Sequence, residues 1–207
     1  MQKLHIVLII LSILSSIIFY PGLPDDLASH WNENGQVNGY MPRLLGVALL
    51  PLIMVAVAVL MHYLPSADPL KNIENFRRDY DNFVTVILAF FFLIHLQVLF
   101  WNVGIEVSPG ITIPIAVGLL FFYIAYLFPK TKRNWFIGIR SPWTLSSDIV
   151  WEKTHAAASK LFFVAGFFVI LGAVFQDLLL VLVIVPTVLA AVISFVISYL
   201  EFKKINL

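Results

Sequence analysis

Six long apolar stretches dominate this chain of 207 residues and constrain its fold more than any other feature. Each is close to the 20 or so residues that an α-helix needs to cross the hydrocarbon core of a bilayer. Only 12% of the residues are charged, whereas a soluble domain has about 25%. We therefore predict an all-α integral membrane bundle of six transmembrane helices. The predicted spans are residues 4–20, 44–64, 83–103, 111–128, 156–175 and 178–200.

The positions of the basic residues predict which side of the membrane each loop faces. Short loops rich in Lys and Arg stay in the cytoplasm. If both termini are placed inside, all but one of the 13 basic residues are cytoplasmic, the exception being Arg43. The first stretch resembles a signal peptide in length, but residues 19–22 offer no small-residue cleavage site. We predict that it is a retained span and that both termini are cytoplasmic.

The outer loop, residues 21–43, is rich in turn-forming residues. Its two Asn-Gly pairs, at 34–35 and 38–39, predict two tight turns because both residue types tolerate positive φ. The loop also begins like a helix, with a proline and two acidic residues before an i,i+4 apolar pair. These residues are Pro24, Asp25, Asp26, Leu27 and Trp31.

Polar side chains of the outer loop leave two interpretations open. In the first, His30, Asn32 and Tyr40 form a recognition patch for an external ligand. In the second, the loop is an interfacial anchor closed by turns, since aromatic and turn-forming residues are common at membrane boundaries.

The inner loop, residues 129–155, is rich in basic, acidic and aromatic residues. Its basic residues at 130–133 form a juxtamembrane cluster that we expect at anionic lipid headgroups. The apolar run 135–139 is too short to span, so we expect it to dip into the interface or pack under the bundle. Arg140 follows, and its guanidinium would need a carboxylate, a lipid phosphate or helix-end carbonyls.

The end of the inner loop is predicted to start a helix capped by Ser146 or Ser147. On that helix Asp148, Glu152 and His155 lie at i, i+4 and i+7 and would share one face. A Glu-x-x-His pair is a metal-binding pattern, but a di-metal bundle needs a second such pair and further carboxylates. The sequence has no second pair, so no metal site is predicted.

The alternative for this helix end is a solvated surface held by ion pairs. Asp148 or Glu152 would then pair with Arg140 or Lys153. Trp151 lies on the adjoining face.

The third predicted span contains a polar set, His95, Gln97 and Asn102. Ionisable groups inside a membrane are functional candidates by default. A neutral histidine hydrogen-bonded to a neighbouring helix explains the same residue, because no intramembrane carboxylate is present to partner it in a proton relay.

Several function classes lack support in the sequence. The formal net charge of +1 offers no field for binding nucleic acid directly. The absence of cysteine excludes thiol chemistry, and no P-loop, dinucleotide fingerprint, zincin helix or hydrolase elbow occurs. We predict a protein that is not an enzyme and that has no cofactor.

Two motifs, in order along the chain, resemble those of the SdpI family of bacterial immunity membrane proteins. The outer motif, PxLP followed by HWNxxGxxxGY, is similar to the signature of DUF1648, a small domain at the start of these proteins. The inner motif, NWFIGIRSPWTLSSDIVWEKTH at residues 134–155, is similar to the second family signature. The six-span layout and the chain length also match.

The resemblance implies an immunity protein of the bacterial plasma membrane that protects its cell from a secreted, membrane-active antimicrobial peptide. It also implies a possible signalling role, in which the toxin-bound protein holds a cytoplasmic winged-helix autorepressor at the membrane. Membrane lipids are the remaining expected partner. The chain would divide into a DUF1648-like region, 1–64, and an SdpI-like region, 65–207.

The two motifs face opposite sides of the membrane in the predicted topology. We expect the toxin at the outer motif, through His30, Trp31, Asn32, Gly35 and Tyr40. The inner motif would bind a partner or hold the structure. Its candidate residues are Asn134, Trp135, Gly138, Arg140, Pro142, Trp143, Thr144, Asp148, Trp151, Glu152 and His155.

Two rival functions remain open from the sequence. A small transporter or channel would need His95, Gln97 and Asn102 to line a path at mid-depth. A membrane-embedded enzyme acting at the inner leaflet would have to use Arg140 and the acidic and histidine side chains that follow it.

Overall fold

Six membrane-length helices form the protein, as the sequence predicted. The computed structural model describes residues 2–32 and 35–205, and within these ranges six helices are long and apolar enough to cross a membrane. The all-α membrane bundle is therefore confirmed. The helices are α1 (Lys3–Phe19), α2 (Arg43–Ala67), α3 (Arg77–Asn102), α4 (Pro109–Leu127), α6 (Asp148–Leu171) and α7 (Leu179–Ile205), with a short α5 (Pro142–Ser146) inside the inner loop.

The six long helices pack as two groups of three. In the first group α3 packs against both α1 and α2, and in the second group α6 packs against both α4 and α7. The two groups meet where α3 contacts α4. The core of the first group includes Met54, Tyr80 and Leu88, and it also takes in Ile137 from the inner loop. An inner-loop side chain is thus part of the core of the first group.

Glycines allow α4 and α6 of the second group to approach each other closely. A Cβ on Gly118 of α4 would lie 2.8 Å from the carbonyl oxygen of Gly166 on α6, and a Cβ on Gly166 would lie 2.9 Å from that of Gly118. Small residues at such crossings let backbones approach and gain van der Waals contact, which drives helix association in lipid.

A β-hairpin lies in the outer loop where the sequence predicted the start of a helix. Strand β1 (Asp26–Trp31) pairs antiparallel with β2 (Val37–Pro42), and irregular register occurs on either side of His30. The predicted helix after Pro24 is wrong, because the backbone amides and carbonyls of β1 form their hydrogen bonds with β2. The predicted turn at 38–39 is also wrong, since both residues lie within β2. Of the other predicted turn, Gly35 has a φ of +75°, and Asn34 lies outside the described residues.

Candidate functional site

Two surfaces at opposite ends of the bundle hold the predicted site residues. The outer hairpin, defined here as Asp26–Trp31 with Val37–Pro42, lies at the end where α1 stops and α2 begins. The inner motif, residues 134–155, lies between the end of α4 and the first turns of α6.

The outer hairpin is fixed to the helices by one apolar and one polar anchor. Leu27 is fully buried beside Gly46 at the start of α2, where an added Cβ would lie 2.6 Å from its Cδ1. Asn102, at the end of α3, binds both the amide and the carbonyl of Ala28. The Ala28 amide donates to Asn102 Oδ1 at 2.8 Å, and Asn102 Nδ2 donates to the Ala28 carbonyl at 3.0 Å. The hairpin is therefore held to α2 and α3.

Two tryptophans pack together beside the hairpin. The rings of Trp31 and Trp101 meet edge to face, with centroids 5.3 Å apart. Edge-to-face contact suits the quadrupole of aromatic rings, and indoles favour the boundary between lipid and water. Trp31 is thus bound to the end of α3 and only partly exposed.

The exposed side of the hairpin carries part of the predicted recognition patch. His30 is exposed, with Nδ1 donating to Asn38 Oδ1 at 2.5 Å, and Tyr40 is 66% exposed. Asn32 has a different place, because its Oδ1 accepts from the Gln36 amide at 2.9 Å and its Nδ2 donates to Gln36 Oε1 at 3.2 Å. His30 and Tyr40 are available to a ligand, while Asn32 closes the hairpin loop.

The polar residues of α3 bind three different parts of the bundle. His95 is buried, and its Nε2 donates to Ser16 Oγ at 2.9 Å and to the Ser12 carbonyl at 3.2 Å, both on α1. Gln97 accepts from Thr112 of α4 at 2.8 Å, and Asn102 holds the hairpin. His95 is thus hydrogen-bonded to a neighbouring helix, as the second interpretation of this residue expected. The three side chains contact different partners and do not follow one polar path, which a channel would require.

Asn134 shapes the first turn of the inner motif. Its side chain is fully buried, and Oδ1 accepts from the amides of Phe136 at 2.8 Å and Ile137 at 2.6 Å. Nδ2 donates to the carbonyls of Lys132 at 2.8 Å and Ile137 at 2.9 Å. The amide thus fills its full capacity with backbone partners. It folds the apolar run under the bundle, so that Ile137 enters the core of the first group while Trp135 stays half exposed.

Trp151 and His155, one turn apart on α6, form the centre of the inner motif. Their rings stack with centroids 4.1 Å apart, and both are almost completely buried. His155 Nε2 accepts from the Ile139 amide at 2.9 Å, so Nδ1 carries the proton and donates to the Trp151 carbonyl at 2.8 Å. Gly138 packs against both rings at a φ of +122°, and an added Cβ would lie 2.4 Å from His155 Nε2.

The second half of the inner motif binds α7. Ser141 and Thr144 cap α5 reciprocally, and Ser141 Oγ donates to Ser198 Oγ at 2.9 Å. Trp143, next to Pro142 at the first position of α5, packs against the rings of Phe195 and Tyr199. The inner motif therefore contacts the first helix group through Ile137 and the second group through α5.

Asp68 belongs to this site although no sequence pattern predicted it. It is 1% exposed in the loop after α2, and it accepts from the amides of Asn72 at 3.0 Å and Trp135 at 3.3 Å. Asn72 donates in turn to the Arg133 carbonyl at 2.8 Å. Because Asp68 and Trp135 are 67 positions apart, no local pattern could have paired them.

The ion pairs of the inner loop differ from those predicted. Asp148 pairs with Arg133 at 2.8 Å and Glu152 pairs with Lys132 at 3.1 Å, while Lys153 pairs with Glu201. Lys130 pairs with Asp79 at 3.1 Å. The predicted pairing of Asp148 or Glu152 with Arg140 or Lys153 is wrong, because the basic cluster at 130–133 lies beside the start of α6. The exposed Arg140 donates instead to the Trp135 carbonyl at 2.9 Å.

The predicted face of two carboxylates and an imidazole is also corrected. Asp148 and Glu152 are exposed, whereas His155 is buried with both ring nitrogens bonded to backbone groups. Among the described residues no group of three His, Asp or Glu side chains is placed to hold a metal ion. The arrangement can link loop to helix, but it presents no exposed acid and base together.

Comparison with known proteins shows which class of protein and which family this chain resembles. The six candidate spans and the relatives below define a multi-pass protein of the bacterial plasma membrane. Residues 130–198 match the SdpI/YfhL protein family, and residues 7–55 match the domain of unknown function DUF1648. The family resemblance drawn from the two motifs is therefore confirmed.

A relative of known name covers nearly the whole chain. The protein named Immunity protein SdpI of Bacillus subtilis (strain 168) is 28% identical over 204 residues, which is 98% of this chain and 96% of that protein. No solved structure matches the chain.

Proposed function

We propose that this chain is an immunity protein that protects its own cell from a secreted, membrane-active antimicrobial peptide. The name of the Bacillus subtilis relative, which aligns along 98% of the chain, is the observation that carries the proposal. The architecture is compatible with it, because a rigidly anchored hairpin presents His30 and Tyr40 outside the helices. The buried side chains of the inner motif serve loop and helix contacts, which fits a protein that is not an enzyme.

The same proposal assigns the outer hairpin to the toxin and the inner motif to a partner. A toxin peptide arriving from outside would meet the exposed His30 and Tyr40. A cytoplasmic winged-helix repressor would meet the exposed side chains of the inner motif, among them Arg140, Trp135 and Glu152. Because the inner motif contacts both helix groups, a toxin that favours one arrangement of the groups would alter this surface.

Both assignments require both termini to be cytoplasmic, and cysteine labelling tests this orientation. The chain contains no cysteine, so single-cysteine variants give an unambiguous signal. Glu106→Cys, exposed between α3 and α4, should react with a membrane-impermeant maleimide in intact cells. Ser146→Cys, exposed in the inner motif, should react only after permeabilisation. The reverse pattern would exchange the two sides and refute both assignments.

Survival and repressor recruitment test the function as two separate readouts. The chain is expressed with a fluorescently tagged repressor in Bacillus subtilis that lacks its own SdpI, and the cells are exposed to the peptide toxin. We expect survival to increase at least tenfold over the empty vector. Tyr40→Ala should reduce this protection because it removes an exposed ring, and Tyr63→Ala is the matched control on an exposed ring of α2.

The recruitment readout uses Arg140→Ala in the same cells. We expect this variant to keep survival and to lose the movement of the repressor to the membrane on toxin exposure. Unchanged recruitment would contradict the inner motif as the docking surface. Failure of the unmodified chain to protect, with the protein present in the membrane, would contradict the immunity function itself.

A further inference from the structure

An unpaired lysine lies within an apolar stretch of α6. Lys160 is exposed, and within residues 2–32 and 35–205 it forms no ion pair, whereas Lys153 on the same helix pairs with Glu201. It lies 11 positions before Leu171, where α6 ends, or about 17 Å along the axis at 1.5 Å per residue. An ammonium group in such surroundings must reach water or an anion.

Lys160 is one of the residues that line a crevice between α4 and α6. The crevice has a volume of about 500 Å³ and is open to the surface of the bundle. Phe122 and Phe163 stack along it, with ring centroids 4.9 Å apart, and Ser159 Oγ bonds the two helices by donating to the Ala125 carbonyl at 2.6 Å. Apart from Lys160, Ser159 and the tyrosine at its edge, the crevice is lined by apolar side chains, which suits an acyl chain.

Along the bundle, Lys160 is level with the end of α4. The Ser159–Ala125 bond places Lys160 beside the last turn of α4, which ends at Leu127. Tyr126 in that turn is 53% exposed and lies under Lys130 Nζ, which is 3.6 Å from its ring centroid. Tyrosine and lysine side chains at a helix end mark the interface, and a lysine stem extends its ammonium group toward it.

The other basic residues near this end of α4 already have acidic partners. Lys130, Lys132 and Arg133 pair with Asp79, Glu152 and Asp148 respectively. The cluster that the sequence predicted at lipid headgroups is therefore largely neutralised within the protein. Lys160 keeps its positive charge uncompensated beside an apolar crevice. This combination complements a ligand with an anionic head and a hydrocarbon tail.

We infer that the α4–α6 crevice binds one anionic phospholipid, with the phosphate at Lys160 and an acyl chain along Phe122 and Phe163. Zwitterionic lipids carry the same phosphate together with a positive amine, so they bind this site more weakly. One basic residue near an anionic membrane surface contributes about 1 kcal/mol, which corresponds to about a fivefold preference.

Native mass spectrometry of the full-length protein tests the site directly. The purified protein is equilibrated with micelles that contain equal amounts of phosphatidylglycerol and phosphatidylcholine, and the ratio of the two bound lipids is measured. We expect wild type to prefer phosphatidylglycerol, and Lys160→Gln to reduce this preference by about fivefold. Lys160→Arg should keep it because the positive charge remains. Lys153→Gln is the matched control, since it removes the same charge from the same helix outside the crevice.

A second variant separates the crevice from the rest of the surface. Val164 lines the crevice and is 51% exposed, so Val164→Trp fills space without disturbing the core. We expect it to reduce the bound phosphatidylglycerol while Lys160 is intact. The inference is overturned if wild type shows no preference, if Lys160→Gln keeps the wild-type ratio, if Lys153→Gln loses as much, or if Val164→Trp binds as wild type does.

Discussion

Gly138→Ala is expected to lower the free energy of unfolding by about 4 kcal/mol. Part of this loss, about 1–2 kcal/mol, is the cost of a side chain at a backbone conformation with positive φ. The rest is steric, because the new Cβ would lie 2.4 Å from His155 Nε2 and 3.0 Å from the Trp151 ring. Overpacking of this kind costs about 1–3 kcal/mol in a well-packed site.

The neighbours of Gly138 cannot move away easily. The His155 ring is stacked on Trp151, and its two nitrogens are bonded to the Trp151 carbonyl and the Ile139 amide. The Trp151 indole in turn donates to the Thr131 carbonyl at 3.1 Å. Displacing either ring breaks a buried hydrogen bond, so the strain remains in the folded state.

Gly104→Ala is the matched control for this prediction. Gly104 has a φ of +91°, and nothing lies within 4 Å of the position that its Cβ would occupy. Gly104→Ala should therefore lower the free energy of unfolding by only about 1–2 kcal/mol, which is the cost of a side chain at positive φ. Unfolding of both variants is followed in the same detergent micelles by denaturant titration. Equal losses at the two glycines would show that the contact with His155 carries no strain.

Composition was enough to predict the spans, but the ends of the helices follow a different rule. α3 begins at Arg77 and α6 begins at Asp148, several residues before the apolar stretches at 83 and 156. A span predicted from hydropathy ends at the boundary of the lipid. A helix can continue beyond that boundary into water, as long as its backbone hydrogen bonds form and its end is capped. For α6 the cap was predictable, because Ser147 accepts from the Val150 amide.

The outer hairpin was predictable only in part from local signals. The Asn-Gly pair at 34–35 predicted a turn between what are now β1 and β2. Leu27 and Trp31, however, have helical spacing, and that spacing predicted a helix instead of the first strand. What decides the conformation is distant in sequence: Asn102 bonds the Ala28 backbone, and Gly46 makes room for Leu27. Tertiary contacts of this kind routinely override weak local preference.

In the inner motif, two residues that share a helical face by spacing differ in their exposure to solvent. At about 100° per residue, Asp148 and His155 point within about 20° of each other, yet one is exposed and the other buried. The boundary between the buried and the exposed side of α6 passes between them. His155 is on the buried side of this boundary, where it stacks on Trp151. Spacing predicts which residues are neighbours, but it does not predict where solvent begins.

Asn134→Ala is expected to lower the free energy of unfolding by about 4 kcal/mol. The substitution removes four hydrogen bonds to the backbone within residues 132–137. A buried group left without its partner costs about 1–3 kcal/mol, and relaxation of the turn will recover part of the total. The loss should appear locally as well, as faster hydrogen exchange at the amides of Phe136 and Ile137.

Two further variants show whether these bonds are responsible for the loss. Asn134→Asp keeps the acceptor for both amides but places a buried carboxylate oxygen against the carbonyls of Lys132 and Ile137, so it should cost at least as much as Asn134→Ala. Asn75→Ala removes the same atoms from an exposed site, where the amide makes one bond, to Asn72 at 3.1 Å, and should cost less than about 0.5 kcal/mol. If Asn134→Ala proves as mild as Asn75→Ala, the turn is held by Ile137 in the core and by Asp68 at the Trp135 amide. The inner motif would then owe its shape to packing, and Asn134 would be replaceable.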